Sequence, residues 1–115
     1  MQALVQNFFT VVYSVTQTGE YTMLEKEVEK HFIWAVQRLG GITYKFRSPT
    51  QRGVTDRIAC LPGGVTWFVE LKTEGGKLSA LQQVHAHNLK SLQQNYACLW
   101  SKEHIDIWME NALPR

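Results

Sequence analysis

A chain of 115 residues, 44% apolar and 19% charged, has material for one buried core and too little for two domains. Its formal charge of +2 is too small to mark a nucleic-acid binder by composition alone. Its two cysteines, Cys60 and Cys98, stand far apart and outside any CxxC, which excludes a disulfide scaffold and a zinc ribbon and fits a reducing, cytoplasmic setting.

The first 22 residues, MQALVQNFFTVVYSVTQTGEYT, contain an apolar run from Phe8 to Val15. No basic region precedes it, no small-residue cleavage site follows it, and a bilayer span takes about 20 apolar residues. Residues 1–22 read as an extension, whether an arm, an extra strand or a tag, ahead of a core domain over 23–115, and no membrane association is expected.

Leu24, Val28, Phe32, Ala35, Val36 and Leu39 recur at intervals of three and four, so Leu24 to Leu39 is predicted as an amphipathic helix, with Thr22 as its N-cap and Gly40-Gly41 as its stop. Glu25, Glu27 and Glu29 lie in its first two turns, where acids complement the helix dipole. Three strand-like runs follow: ITYKF (42–46), TDRIACL (55–61) and VTWFVEL (65–71). The turn PGG at Pro62 to Gly64 makes the second and third an antiparallel hairpin. Ser79 caps a helix that runs to about Gln93. YACLW (96–100) is a fourth strand, and His104 to Leu113 a last helix. The order α-β-β-β-α-β-α, with one parallel crossover, gives an α/β fold with a mixed central sheet flanked by helices.

Two further patterns bear on function. Lys45, Arg47, Arg52 and Arg57 gather in YKFRSPTQRGVTDR (44–57) against one acid, Asp56, a local basic patch of the kind that meets phosphates. His85 and His87 are two apart on one helix and so cannot share a metal.

The chemistry concentrates in GVTDRIACLPGGVTWFVELKTEGGKLSALQ (53–82). Glu70 and Lys72 share one face of a strand, and the hairpin sets Asp56 roughly opposite the Glu70 end. Charges in apolar strands cost several kcal/mol unless paired or bound to a metal. Two carboxylates at one sheet edge suit a hard divalent cation, and a lysine beside them can orient water or offset phosphate charge.

An acid in the first helix, then D, then ExK on a hairpin, resembles the PD-(D/E)XK nuclease superfamily. The GVTD strand, the ExK strand, the glycine-bearing loop, the S-x-x-Q helix start and the preceding GGITYKFRSP together resemble its VRR-nuclease branch, from about Leu24 to Trp108. Thr55 stands where that branch usually has proline, a position that supplies no ligand.

The resemblance implies a restriction-endonuclease-like core in which Asp56, Glu70 and the Leu71 backbone carbonyl hold Mg²⁺ or Mn²⁺. Lys72 would be the catalytic lysine, and Gln82 would help hold the site or the scissile phosphate. Glu25 and Glu29 both match the first-helix acid, with Glu29, nearer the helix end that should approach the sheet edge, taken before Glu25. Lys45, Arg47, Arg52, Arg57 and Lys77 would grip the DNA backbone. The expected activity is that of a metal-dependent, structure-specific endonuclease similar to phage-type Holliday-junction resolvases, working as a homodimer without a small-molecule cofactor. Trp34, Trp100 and Trp108 are candidates for the dimer interface, with core packing the plainer reading of each. A nuclease for flaps, single strands or linear duplex, and a silent DNA-binding module on the same fold, are the other expectations.

Overall fold

The computed structural model describes residues 19–46, 50, 53, 55–73 and 75–114. Within them run α1 (Gly19–Arg38), β1 (Ile42–Lys45), β2 (Arg57–Leu61), β3 (Val65–Leu71), α2 (Ala80–Ser91), β4 (Asn95–Leu99) and α3 (Lys102–Asn111), the predicted order. The extension predicted over 1–22 falls outside these residues up to position 18. From Gly19 onward the chain is already helical, so Thr22 lies inside α1 and does not cap it.

The far end of α1 is closed as expected. Gly40 N–H donates to the Gln37 carbonyl and Gly41 N–H to the Val36 carbonyl, both at 2.9 Å. This is a Schellman closure, with Gly40 in the left-handed conformation at φ 87°. A Cβ on Gly41 would lie 2.4 Å from the Cys60 carbonyl oxygen, so glycine there lets the helix exit pass directly over β2.

The sheet has the order β1-β2-β3-β4, antiparallel between the first three strands and parallel between β3 and β4. A one-turn 3₁₀ segment, Pro62–Gly64, joins β2 to β3, and Gly63 and Gly64 supply the positive φ it needs.

Alternation along the strands sorts the side chains into two layers. Ala59, Leu61, Trp67, Val69, Ala97 and Leu99 face α1 and α3, where Val28, Phe32, Ala35, Val36, Ile105 and Trp108 complete the main core. Trp108 meets Trp67 edge-on at 5.7 Å, and Trp67 Nε1 donates to the Ala112 carbonyl at 3.0 Å. On the other face, Ala86 of α2 packs with Tyr96 and Cys98, flanked by Phe68, Leu89 and Trp100.

Three expectations change here. Trp108 is fully buried and Trp100 half-buried, its Nε1 donating to the Gly76 carbonyl at 2.9 Å, so of the three tryptophans only Trp34 is an exposed interface candidate. Cys60, whose apolar run predicts burial, is exposed: it shares the sheet face of Phe68 and Tyr96 but lies outside the cluster that α2 forms there. The last helix starts at Lys102 rather than His104, since the Ser101 hydroxyl accepts from His104 N–H and caps it.

Candidate active site

The β2–β3 register pairs Arg57 with Val69, so one rung further the chain brings Asp56 beside Glu70. Asp56 lies in a bend just before β2, not within it, yet Phe46 N–H still donates to its carbonyl at 2.7 Å and extends the ladder. Glu70 is only 4% exposed. Its Oε2 accepts from Gln82 Nε2 at 2.9 Å, while Glu70 Oε1 and Asp56 Oδ1 are both buried without a hydrogen-bond partner.

Unpaired carboxylate oxygens in a dry site are costly, and the titration of both groups reflects it. Burial, reinforced by the charge of Asp56 and opposed by Lys72, pushes Glu70 up to about 7. Burial also raises Asp56, against hydrogen bonds from the Leu71 N–H and its own N–H and the charges of Arg57 and Lys45. Tyr96 and Cys98, behind Glu70, stay protonated; burial and the charge of Glu70 lift the Cys98 thiol to about 12. The pair is therefore short of positive charge.

A hard divalent cation fits this donor set. Among the described residues no group of three or more His, Cys, Asp or Glu is placed to hold a metal. Two carboxylates are the share a protein supplies to Mg²⁺ when waters and substrate phosphates complete the shell.

Asp56 opens onto a cleft of about 520 Å³ whose walls include Glu25, Glu29, Lys45, Leu71, Lys72 and Lys77. Glu70 and Gln82 stand behind this wall and not in it. The cleft thus collects most of the residues expected at the site. Arg47 and Arg52 lie outside the described residues.

Arg57 departs from its expected role as a phosphate grip. Its side chain is 8% exposed, and its Nη2 donates to Glu29 Oε2 at 2.6 Å. Lys45 approaches the same oxygen at 3.6 Å. The guanidinium beside Glu29 holds that carboxyl below its ordinary value. The cause is register: Lys45 and Arg57 are directly paired across β1 and β2, so both reach the face where α1 presents Glu29. That pairing was readable from the strand pattern only once the register was known.

Gln82 is held from two sides. Ser79 N–H donates to Gln82 Oε1 at 2.8 Å and Gln82 N–H donates to the Ser79 hydroxyl at 3.1 Å, a complete capping box. The box leaves Nε2 aimed at Glu70. The S-x-x-Q pattern signals the box, whereas its second use as a brace for Glu70 had no sequence signal of its own. Nearby, Gly53 (φ 79°) brings the loop before Asp56 against α2: a Cβ there would lie 2.6 Å from the Leu81 carbonyl carbon.

No protein-family model matches the chain. The chain is 48% identical over 58 residues to "Putative nuclease p44" of Acyrthosiphon pisum secondary endosymbiont phage 1, a match that spans 50% of this chain and 62% of that protein. The chain thus covers less than two thirds of that relative's length. A solved structure described as a VRR_NUC domain superposes with a TM-score of 0.73 at 28% identity, covering 77% of this chain and 97% of the other. With its mixed sheet of restriction-endonuclease-like architecture the chain has the fold of a VRR_NUC domain, and half of its sequence is similar to a phage protein described as "Putative nuclease p44".

Proposed function

We propose that the chain is a Mg²⁺- or Mn²⁺-dependent endonuclease that hydrolyses phosphodiester bonds in branched DNA, acting as a homodimer on four-way junctions inside the cell. One observation carries the reading: two neighbouring residues each keep a buried, unpartnered carboxylate oxygen, Asp56 on a lysine-bearing cleft and Glu70 just behind its wall.

Asp56, Glu70 and the Leu71 carbonyl would hold the cation. When bound there, it polarises the phosphoryl group and lowers the pKa of an adjacent water. Lys72, on the cleft wall, positions the attacking water and offsets charge on a phosphate oxygen. Gln82 keeps Glu70 in one orientation. Lys45 and Lys77 hold the strand through its phosphates, with Arg47 and Arg52 on the same basic segment; such contacts place DNA without reading its bases. Glu29 is committed to Arg57, which favours Glu25, on the same cleft wall, as the acid that meets the cation's waters. The two-fold symmetry of a four-way junction suits a dimer with two such clefts.

The test is cleavage of a labelled four-way junction, with flap and linear duplex controls, by the protein and Lys72→Ala, in Mg²⁺, Mn²⁺ or EDTA. Paired, symmetrical, metal-dependent nicks that vanish in the variant are expected. Cleavage confined to flaps or duplex would replace the junction by that substrate. Binding without cleavage in any metal would leave a DNA-binding module.

A further inference from the structure

Among the described residues β1 is an edge strand of the sheet, and its alternate residues are exposed and apolar: Ile42 and Tyr44 are each 57% exposed and Phe46 just beyond them 40%. Alternate positions share a face, and residues paired across the ladder point the same way. Lys45, between the two rings, points to the Glu29 face and lines the cleft. Tyr44 lies opposite Ile58, and Phe46 donates its N–H to the carbonyl of Asp56, so Phe46 stands one rung from the end of β1 and beside a candidate metal-binding residue. One short strand thus offers an ammonium to the cleft on one side and two aromatic rings on the other.

We infer that Tyr44 and Phe46 form a stacking platform for unpaired DNA bases beside the cleft, on the face of β1 opposite Lys45 and next to Asp56. The inference rests on the nuclease reading and narrows its substrate to branched DNA in which a base next to the scissile phosphate is unpaired, as at a fork or where a junction opens a pair at its branch. A phosphate held beside Lys45 and Lys72 puts its own nucleotide within reach of the strand. A base inside a duplex has both faces covered by its neighbours, whereas an unpaired base has a face to offer. Aromatic side chains at exposed strand positions take such faces with little regard to sequence. The patch is uncharged along Ile42, Tyr44, Phe46 and the neighbouring Cys60, so it suits bases and not phosphates, while the adjoining lysines suit the backbone. The two surfaces join at Asp56.

The experiment places 2-aminopurine, unpaired, at the branch of a forked DNA and in a matched linear duplex, and titrates both in EDTA. The proteins are wild type, Tyr44→Leu, Phe46→Leu, the double variant and Lys72→Ala. Leucine keeps an apolar side chain at these exposed sites and removes the ring. Wild type should quench the unpaired probe, and Lys72→Ala, which loses a phosphate contact, should quench it only at higher protein concentration. The double leucine variant should lose the quenching and bind the fork about tenfold or more weakly, with duplex binding unchanged. Equal quenching by wild type and the double variant would overturn the platform, as would equal loss of fork and duplex binding. Quenching without metal-dependent cleavage would leave the platform standing while the nuclease reading falls; cleavage without quenching would do the reverse. Sedimentation of a Tyr44→Ser, Phe46→Ser variant closes the remaining case. A dimer turned monomer with fork binding intact would assign this face to a second copy of the chain and overturn the proposal.

Discussion

Gln82 Nε2 donates to Glu70 Oε2 at 2.9 Å while Gln82 Oε1 accepts from Ser79 N–H at 2.8 Å, so one amide both caps α2 and orients a buried carboxylate. The two roles can be separated. Ser79→Ala removes only the hydroxyl that accepts from Gln82 N–H and should cost about 1 kcal/mol of stability with little change in cleavage. Gln82→Leu removes the brace on Glu70 as well and should lower cleavage or metal affinity by about 10- to 100-fold. Thermal melts beside cleavage rates check this. Equal activity losses in both variants would mean that the cap alone matters.

Glu29 and Arg57 form a hydrogen-bonded charge pair at the cleft. Removing Glu29 leaves an 8% exposed guanidinium whose remaining hydrogen bond among the described residues is a long, 3.4 Å contact to the Thr43 hydroxyl. Glu29→Ala should cost about 1–2 kcal/mol, less than a fully buried pair because the glutamate is itself a third exposed. Glu29→Ala combined with Arg57→Met should recover part of that loss, which urea denaturation would measure. The folded carboxyl lies below its ordinary value of 4.5, so this pair contributes fully above that pH and fades as pH falls through the folded value.

These relationships divide what the sequence could convey from what it could not. Val65–Leu71 is the predicted strand residue for residue, because alternation between flanking glycines and a polar loop marks both of its ends. That Asp56, Glu70, Lys72 and Gln82 lie near one another was readable, because residue type and order mark the hairpin and the helix start that bring them together. The partners of Arg57 were not readable: a cation in a basic segment looks alike whether it faces DNA or an acid 28 residues upstream. The burial of Trp108 and the exposure of Cys60 likewise depend on which sheet face each helix covers, and local pattern does not encode that. Tyr44 and Phe46 read as ordinary strand residues until β1 is known to be an edge.

Gly53 tests how tightly the loop before Asp56 is held. At φ 79°, with space for a Cβ closed off at 2.6 Å by the backbone of Leu81, Gly53→Ala combines backbone strain with a clash that no side-chain rotation relieves. It should destabilise by about 1–3 kcal/mol and displace Asp56 relative to Glu70, lowering cleavage more than a stability loss of that size explains. Gly63→Ala makes the control, since it shares the positive φ but meets nothing within 4 Å. If both variants lose the same activity, the close approach to α2 is not what positions Asp56.

The metal-free protein should have an unusual stability profile with pH. Glu70 titrates near 4.5 in the unfolded chain and at about 7 when folded, because burial and the charge of Asp56 disfavour its carboxylate. Between those values the folded state binds the proton more tightly, so stability is fully present below about 4.5 and is lost as pH rises through about 7. A tenfold difference in proton affinity between the folded and unfolded chain corresponds to about 1.4 kcal/mol, which sets a loss of a few kcal/mol in EDTA. A divalent cation reverses the sign of the local problem by supplying the charge that the two unpartnered oxygens lack. Mg²⁺ should therefore raise the melting temperature strongly at pH 8 and little at pH 5, where the proton already occupies Glu70. Glu70→Gln should flatten the profile in EDTA and abolish the response to Mg²⁺. A metal-free wild type whose stability does not change between pH 5 and 8 would mean that the two carboxylates are already compensated by other groups, and the metal site would lose its main support.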